Sequence, residues 1–383
     1  MKTLSILAAI AIGCGDADDA KSTGEDTQSP GTGTEDTDTD TDDTGEPDDT
    51  GEHSETGEPP VTGEAKLVVL TVPDTPDWTD MAFLAAIPAS AQLNGGSPAV
   101  LAVETATELK PATQDLIDRL NADTVLTPTG TTITTDSDAV ELDGASAQAW
   151  SIALAGATWD IASRAVVVSE NDYAAGILGA SLAARIDAPL LIAGDDLSTL
   201  EAFASDLGAD LISLGVDTAP PSLSTDHVAL SGVEPVLAWL NDRAISVDYL
   251  AVTNVNDRTS GRSQKASMMA PMYAANSDGL VIPVAIPMPT VVIADGGDHP
   301  VLPILSDVYD QMGSPPDHLA IVGAHDALPQ MRKPTIFDNP IEEQPVSDLP
   351  YAQTDDDAFI DISIGRIVGD TVEALATTAT RTT

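Results

Sequence analysis

Residues 164–215 read RAVVVSENDYAAGILGASLAARIDAPLLIAGDDLSTLEAFASDLGADLISLG. A β-branched run at Val166, Val167 and Val168 gives way to an Ala- and Leu-rich stretch. Next come Pro189-Leu190-Leu191-Ile192-Ala193, a second helical stretch, and a closing Leu211-Ile212-Ser213-Leu214-Gly215. The order is strand, helix, strand, helix, strand. Short apolar strands without polar alternation are covered on both faces, which is the mark of parallel βαβ units. The expected fold class is therefore α/β, with doubly wound, mostly parallel sheets.

The same pattern lies on both sides of this stretch. Upstream, apolar strands at 67–72, 99–103 and 124–128 bracket helices at 80–93 and 113–120. Downstream, strands at 248–253, 279–284 and 318–323 bracket helices at 263–275 and 301–312. Three divergent copies of one module thus recur at roughly 90 residues, well above the 20–50 residues of solenoid repeats. The expected division is a leader at 1–14, a linker at 15–64, and modules at 65–145, 146–240 and 241–383.

Of the 383 residues, 42% are hydrophobic but only 3% aromatic, so Ala, Val, Leu and Ile must fill the core. A formal net charge of -47 argues against a nucleic-acid partner, because such binding neutralises phosphates with Lys and Arg. Lys2 precedes an apolar run of about nine residues at 4–12, too short for a bilayer that takes about 20, and the pair reads as an export signal. Ala11-Ile12-Gly13-Cys14 resembles a bacterial lipobox, in which the cysteine after a small residue is lipidated, although its first position is Ala11 where Leu or Val is usual. An ordinary secretory signal is the alternative. Lipidation of Cys14 implies a membrane partner and a place at the bacterial cell envelope or surface. Cys14 is the only cysteine, so no disulfide is expected. Residues 15–64 are almost wholly Asp, Glu, Thr, Gly, Ser and Pro. They cannot bury enough apolar surface to offset their ordering entropy, and a disordered acidic tether is expected. Within it, Asp40, Asp42, Thr44 and Gly45 imitate the first half of an EF-hand loop, yet Gly51 stands where the bidentate Glu belongs.

In the middle copy, Asp172, Ala174, Ala175, Leu182, Ala183, Ala188, Pro189, Leu190, Leu191, Leu200, Leu207, Ile212 and Gly215 follow a loose pattern. It resembles that of the cell-wall-binding repeat 2 family. The resemblance implies surface retention on a cell-wall or surface polymer. The same positions also suit the core of any βαβ unit.

The last third carries Pro316-Asp-His-Leu-Ala-Ile-Val-Gly-Ala-His-Asp-Ala-Leu-Pro329, then Leu349-Pro-Tyr351-Ala, then a run from Thr354 through Asp361 to Gly365-Arg366-Ile367. These residues, with the helix start Asp370-Thr371-Val372-Glu373, resemble the gingipain-type cysteine peptidase domain. The resemblance implies a Cys nucleophile and a His followed by Gly, both downstream of the Gly-Arg strand. None of His53, His227, His299, His318 or His325 precedes a Gly, and Cys14 belongs to the leader. No Gly-x-Ser-x-Gly, Ser-x-x-Lys or His-Glu-x-x-His motif offers a substitute. His325 and Asp326 sit at a strand end, but neighbours on an extended chain point apart, so a turn is the expectation.

Two polar clusters remain. Asp355, Asp356, Asp357 and Asp361 are dense enough in oxygen to hold Ca²⁺, against the alternative of a solvated turn. Arg258, Arg262 and Lys265 share one loop and could receive an anion at the start of the next helix, against an ordinary loop neutralised by nearby acids. Ile360, Ile362 and Ile364 alternate as an edge strand that Val372, Leu375 and Ala376 would cover, which makes the segment from Leu349 onward the expected weak part of the fold. Two functions stay open. One is a lipid-anchored envelope protein with a non-catalytic binding or display role. The other is the N-terminal portion of a gingipain-like peptidase whose His and Cys lie beyond Thr383 or are lost.

Overall fold

The computed structural model describes residues 65–71, 78–103, 110–129, 138–195, 197–215, 227–258, 261–262, 264–294, 297–333, 344–354 and 359–381. Cys14, the linker with its EF-hand-like stretch, and Asp355, Asp356 and Asp357 lie outside them.

Alternation along the first strand sets up two core layers. In β1 (Ala65–Thr71), Val68 and Leu70 join one apolar cluster, while Leu67 and Val69 join another with Leu116 and Ile117. There follow α1 (Trp78–Leu93), β2 (Val100–Val103), α2 (Pro111–Leu120), β3 (Ala122–Pro128), β4 (Asp138–Leu142) and α3 (Ala147–Thr158). The strands stand in the order β2-β1-β3-β4, all parallel.

This plan repeats twice. The second copy runs β5 (Arg164–Ser169), α4 (Tyr173–Arg185), β6 (Leu190–Ala193), α5 (Leu197–Leu207), β7 (Asp210–Leu214), β8 (Val228–Leu230), α6 (Val233–Asn241), with sheet order β6-β5-β7-β8. The third runs β9 (Tyr249–Asn254), α7 (Ala270–Ala275), β10 (Leu280–Val284), α8 (Leu302–Met312) and β11 (His318–Val322). After the two-residue antiparallel strands β12 (Met331–Arg332) and β13 (Val346–Ser347) it ends with β14 (Ser363–Ile367) and α9 (Val372–Arg381). Its sheet order is β10-β9-β11-β14. The α/β class and doubly wound order therefore hold in all three copies.

Each copy also has a fourth strand and a closing helix, and the closing helix packs on the next copy. α3 lies on β6 and α5, α6 lies on α8, and α9 returns to β2 and α2. The first helices α1, α4 and α7 touch one another pairwise. The three copies thus form a closed ring with a continuous apolar core from Val68 to Ala379. Gly176 permits the tight approach of α4 to α1, since a Cβ there would stand 2.8 Å from Met81 Cε and 3.0 Å from Leu84 Cδ1.

Hydroxyl groups cover the inner sheet edges, whose backbone groups would otherwise lack partners. The Ile192 N–H donates to Ser151 Oγ at 3.0 Å, and the Val281 N–H to Ser181 Oγ at 3.1 Å. Thr380 Oγ1 donates to the Val100 carbonyl at 3.2 Å. In each case the hydroxyl comes from a neighbouring copy.

Two local expectations are corrected. The edge strand begins at Ser363, with Ile362 buried and Ile360 62% exposed, so the alternation at 360–364 straddles a strand entry. Val372, Leu375 and Ala376 are buried, but α9 uses that surface against β2 and the 3-10 turn at Ala266–Met269. Glu373, only 3% exposed, ties it down further: it accepts from Thr113 Oγ1 at 2.5 Å and pairs with Lys110 Nζ at 3.2 Å. The end of the described chain is therefore part of the ring.

Candidate functional site

At the ring centre, where the first helices begin, each copy contributes a polar side chain. Asp80 lies in the first turn of α1, where the helix dipole favours an acid, and is fully buried. Its Oδ2 accepts from Arg258 Nε at 3.0 Å and Nη2 at 2.8 Å, and its Oδ1 accepts from Lys265 Nζ at 2.9 Å. The first residue of α4, Tyr173, lies under the Arg258 guanidinium at 4.3 Å. Its hydroxyl is 3.0 Å from Ser267 Oγ. Ser267 in turn donates both its N–H, at 2.8 Å, and its hydroxyl to the Asp257 carboxylate. Because the Ser267 proton goes to Asp257, the Tyr173 hydroxyl must be the donor to Ser267.

Burial dominates the electrostatics of this junction. It pushes the Asp257 carboxyl up to about 7, helped by the Asp80 charge and opposed by the Ser267 bonds and Arg258. Burial, then Asp257 and Asp80, push the Tyr173 hydroxyl well above its ordinary value and keep it protonated. The chain Tyr173, Ser267, Asp257 could relay a proton. With Ser267 fully buried and Asp257 1% exposed, however, no substrate meets it. The arrangement is a lock between three copies.

The crest of the third sheet is organised by the Gly-Arg pair noted in the sequence. Arg366 Nε and Nη2 donate to the two carboxylate oxygens of Asp348 at 2.8 and 2.6 Å. Its Nη1 donates to the Gly323 and Leu328 carbonyls. His299 Nδ1 accepts from the Val301 and Leu302 N–H groups at the start of α8, which leaves Nε2 to donate to the Pro329 carbonyl. Burial lowers the His299 pKa, consistent with a neutral ring. Tyr351 donates to the same carbonyl at 2.8 Å and meets the His299 ring edge-on. Between β9 and β11, the position where doubly wound sheets hold ligands, Asn254 Nδ2 donates to the Ile286 and Ala327 carbonyls. The crevice is zipped shut.

Of the residues singled out in the sequence, Arg258 and Lys265 come together, on Asp80. Arg262 is exposed, and its backbone N–H donates to Asp326 Oδ2 at 2.8 Å. His325 and Asp326 form a turn, their carbonyls accepting from the Thr290 hydroxyl and N–H. Asp361 Oδ2 accepts from the Thr354 N–H and hydroxyl, which holds its carboxyl below the usual range. Among the described residues no group of three or more His, Cys, Asp or Glu is placed to hold a metal. Sequence reasoning missed Asp80, Tyr173, Asp257 and Ser267. The one available sign was Asp80 itself, the single charge in the helical run 78–93.

Comparison with known proteins adds two findings. The family model described as Peptidase family C25 matches residues 301–383, extending the gingipain resemblance read from 316 onward. Among solved structures, Cwp8 from Clostridium difficile is similar at 17% identity and a TM-score of 0.50, covering 69% of this chain and 46% of that one. Cwp6 from Clostridium difficile aligns at 11% identity and a TM-score of 0.49, over 69% of this chain and 42% of that one. The chain therefore spans less than half the length of either, and the first likeness bears on the fold. Comparison with curated proteins gives no match.

Proposed function

We propose that this is a lipid-anchored envelope protein, held by Cys14 and an acidic tether, whose three modules serve binding and display. In this reading the peptidase-like third module is the third wall of the ring and does no thiol chemistry. The observation that carries it is ring closure: α9, within the stretch matched by the peptidase family, is committed to β2 and α2 of the first copy. Two further facts support it. The only cysteine is Cys14, and the crevice between β9 and β11 is closed by Asn254. No described helix is long and apolar enough to cross a membrane, so attachment in this reading falls to lipid. The resemblance of the middle copy to cell-wall-binding repeats suggests a cell-wall or surface polymer as partner.

Two experiments test the reading. Metabolic labelling with a fatty-acid analogue should mark the wild type and not Cys14→Ser, and the purified chain should sediment with isolated cell-wall sacculi. An unlabelled, freely secreted wild type that ignores sacculi would contradict it. A second reading, the peptidase portion of a larger enzyme, is favoured by the family match at 301–383. Hydrolysis of Arg- or Lys-containing reporter peptides by the chain would establish that reading instead.

A further inference from the structure

The third copy has a feature that the other two lack. β3 and β4 are joined by residues 129–137 and β7 and β8 by 215–227, whereas β11 and β14 are joined by 323–362. Part of this longer connection, including the 3-10 turn Leu349–Ala352 and Thr354, stands beside α8 and leaves a groove. Two cavities of about 270 and about 130 Å³ share Ser306, Tyr309 and Thr354 and so form two lobes of that groove.

The helix face that lines it carries Leu302, Leu305, Ser306, Tyr309 and Asp310, the three- and four-residue spacing of one side of a helix. Leu305 and Tyr309 are buried; Ser306, Asp310, Ser314 and Thr354 are exposed. Hydrogen-bond capacity here is unspent. Among the described residues, the Tyr309 hydroxyl is shielded from solvent yet has no partner, although the residue is only 9% exposed. The side chains of Ser306, Asp310 and Ser314 likewise make no bond to another described residue. Pro315 and Pro350 add apolar surface at either end.

We propose that this groove binds one neutral pyranose unit of a glycan. Hydroxyls of Ser306 and Ser314 can each donate and accept, and the Thr354 hydroxyl, which already donates to Asp361, can still accept, matching sugar hydroxyls that do both. The Asp310 carboxylate can accept from two neighbouring hydroxyls at once. Leu302 and the prolines offer contact to the C–H face of the ring. The lining holds one carboxylate and no cation, so an anionic ligand is repelled. The larger lobe is smaller than the roughly 300–1,000 Å³ of drug-sized sites, which suits a single ring. The inference rests on the surface-binding reading only for the source of the sugar.

The test uses the full chain and saturation-transfer NMR with the methyl glycosides of glucose, galactose, mannose and N-acetylglucosamine. At least one should show transfer, with affinity on the order of millimolar. Ser306→Ala and Asp310→Asn should each weaken it about tenfold, the loss of one hydrogen bond. Neither should lower thermal stability, since neither group bonds another described side chain. No transfer from any glycoside, or equal transfer with both variants, would overturn the assignment. Sugar binding without sedimentation on sacculi would leave the groove standing and remove the cell-wall polymer as partner. Sedimentation without sugar binding would do the reverse.

Discussion

Replacing Asp257 by Asn should change how stability depends on pH, and the structure fixes both the sign and the window. The carboxyl faces Ser267 directly, with Asp80, Arg258, Lys265 and Tyr173 around it; both cations are spent on Asp80. Its folded pKa, about 7, lies above the ordinary 3.8 of an Asp carboxyl. The folded state therefore binds the proton more tightly than the unfolded state does, and stability falls as pH rises between about 4 and about 7, then levels off. Three units at about 1.4 kcal/mol each give a loss of about 4 kcal/mol, an upper bound for a buried group that can relax. Many other acids also titrate in this window in a chain of net charge -47. The informative quantity is therefore the difference between wild type and Asp257→Asn. Urea denaturation at pH of about 5 and about 8 should show the wild type losing about 2–3 kcal/mol more than the variant, since part of the effect is already spent by pH of about 5. Parallel pH profiles would mean that Asp257 is either solvated or ionised throughout, and the reasoning about the junction would fail.

Other substitutions test separate contacts. Asp80→Ala leaves Lys265, 2% exposed in its side chain, without its buried anion and should cost about 3–5 kcal/mol in denaturant melts. Gly176→Val drives a branched side chain into Met81 and Leu84 and should cost about 1–3 kcal/mol, with Gly176→Ala costing less. Glu373→Ala removes the acceptor for Thr113 and the partner of Lys110 and should cost about 2–4 kcal/mol. Limited proteolysis of that variant should begin near Asp370, where the wild type resists.

How much of this was legible in the sequence depends on how far apart the partners lie along the chain. Strands such as 164–169 and 190–193 announce themselves because both faces are buried and the residues are uniformly apolar. β4 did not, because Asp138–Leu142 is mostly exposed, and β8 did not, because it has three residues. The helix expected at 263–275 resolves into a 3-10 turn and the six-residue α7, with Pro271 in its first turn. The ring was hidden because its evidence is non-local. Glu373 looks like a first-turn acid until Thr113, 260 residues away, is found beside it. Arg258 and Lys265 stood out as basic residues in an acidic chain, but the Asp80 that neutralises them is 178 and 185 residues upstream. Such pairings leave no periodicity and no local spacing to read.

The central claim is that the peptidase-like third copy is a wall of one ring, and native-state hydrogen exchange tests it most directly. If α9 is locked onto β2 and α2, amides of Leu375, Ala376 and Ala379 should exchange as slowly as those of Val166, Val167, Leu191 and Ile192. All should follow one global opening. Fast exchange from 372 to 381 while 164–193 stays protected would show that α9 frays independently, and would contradict the ring.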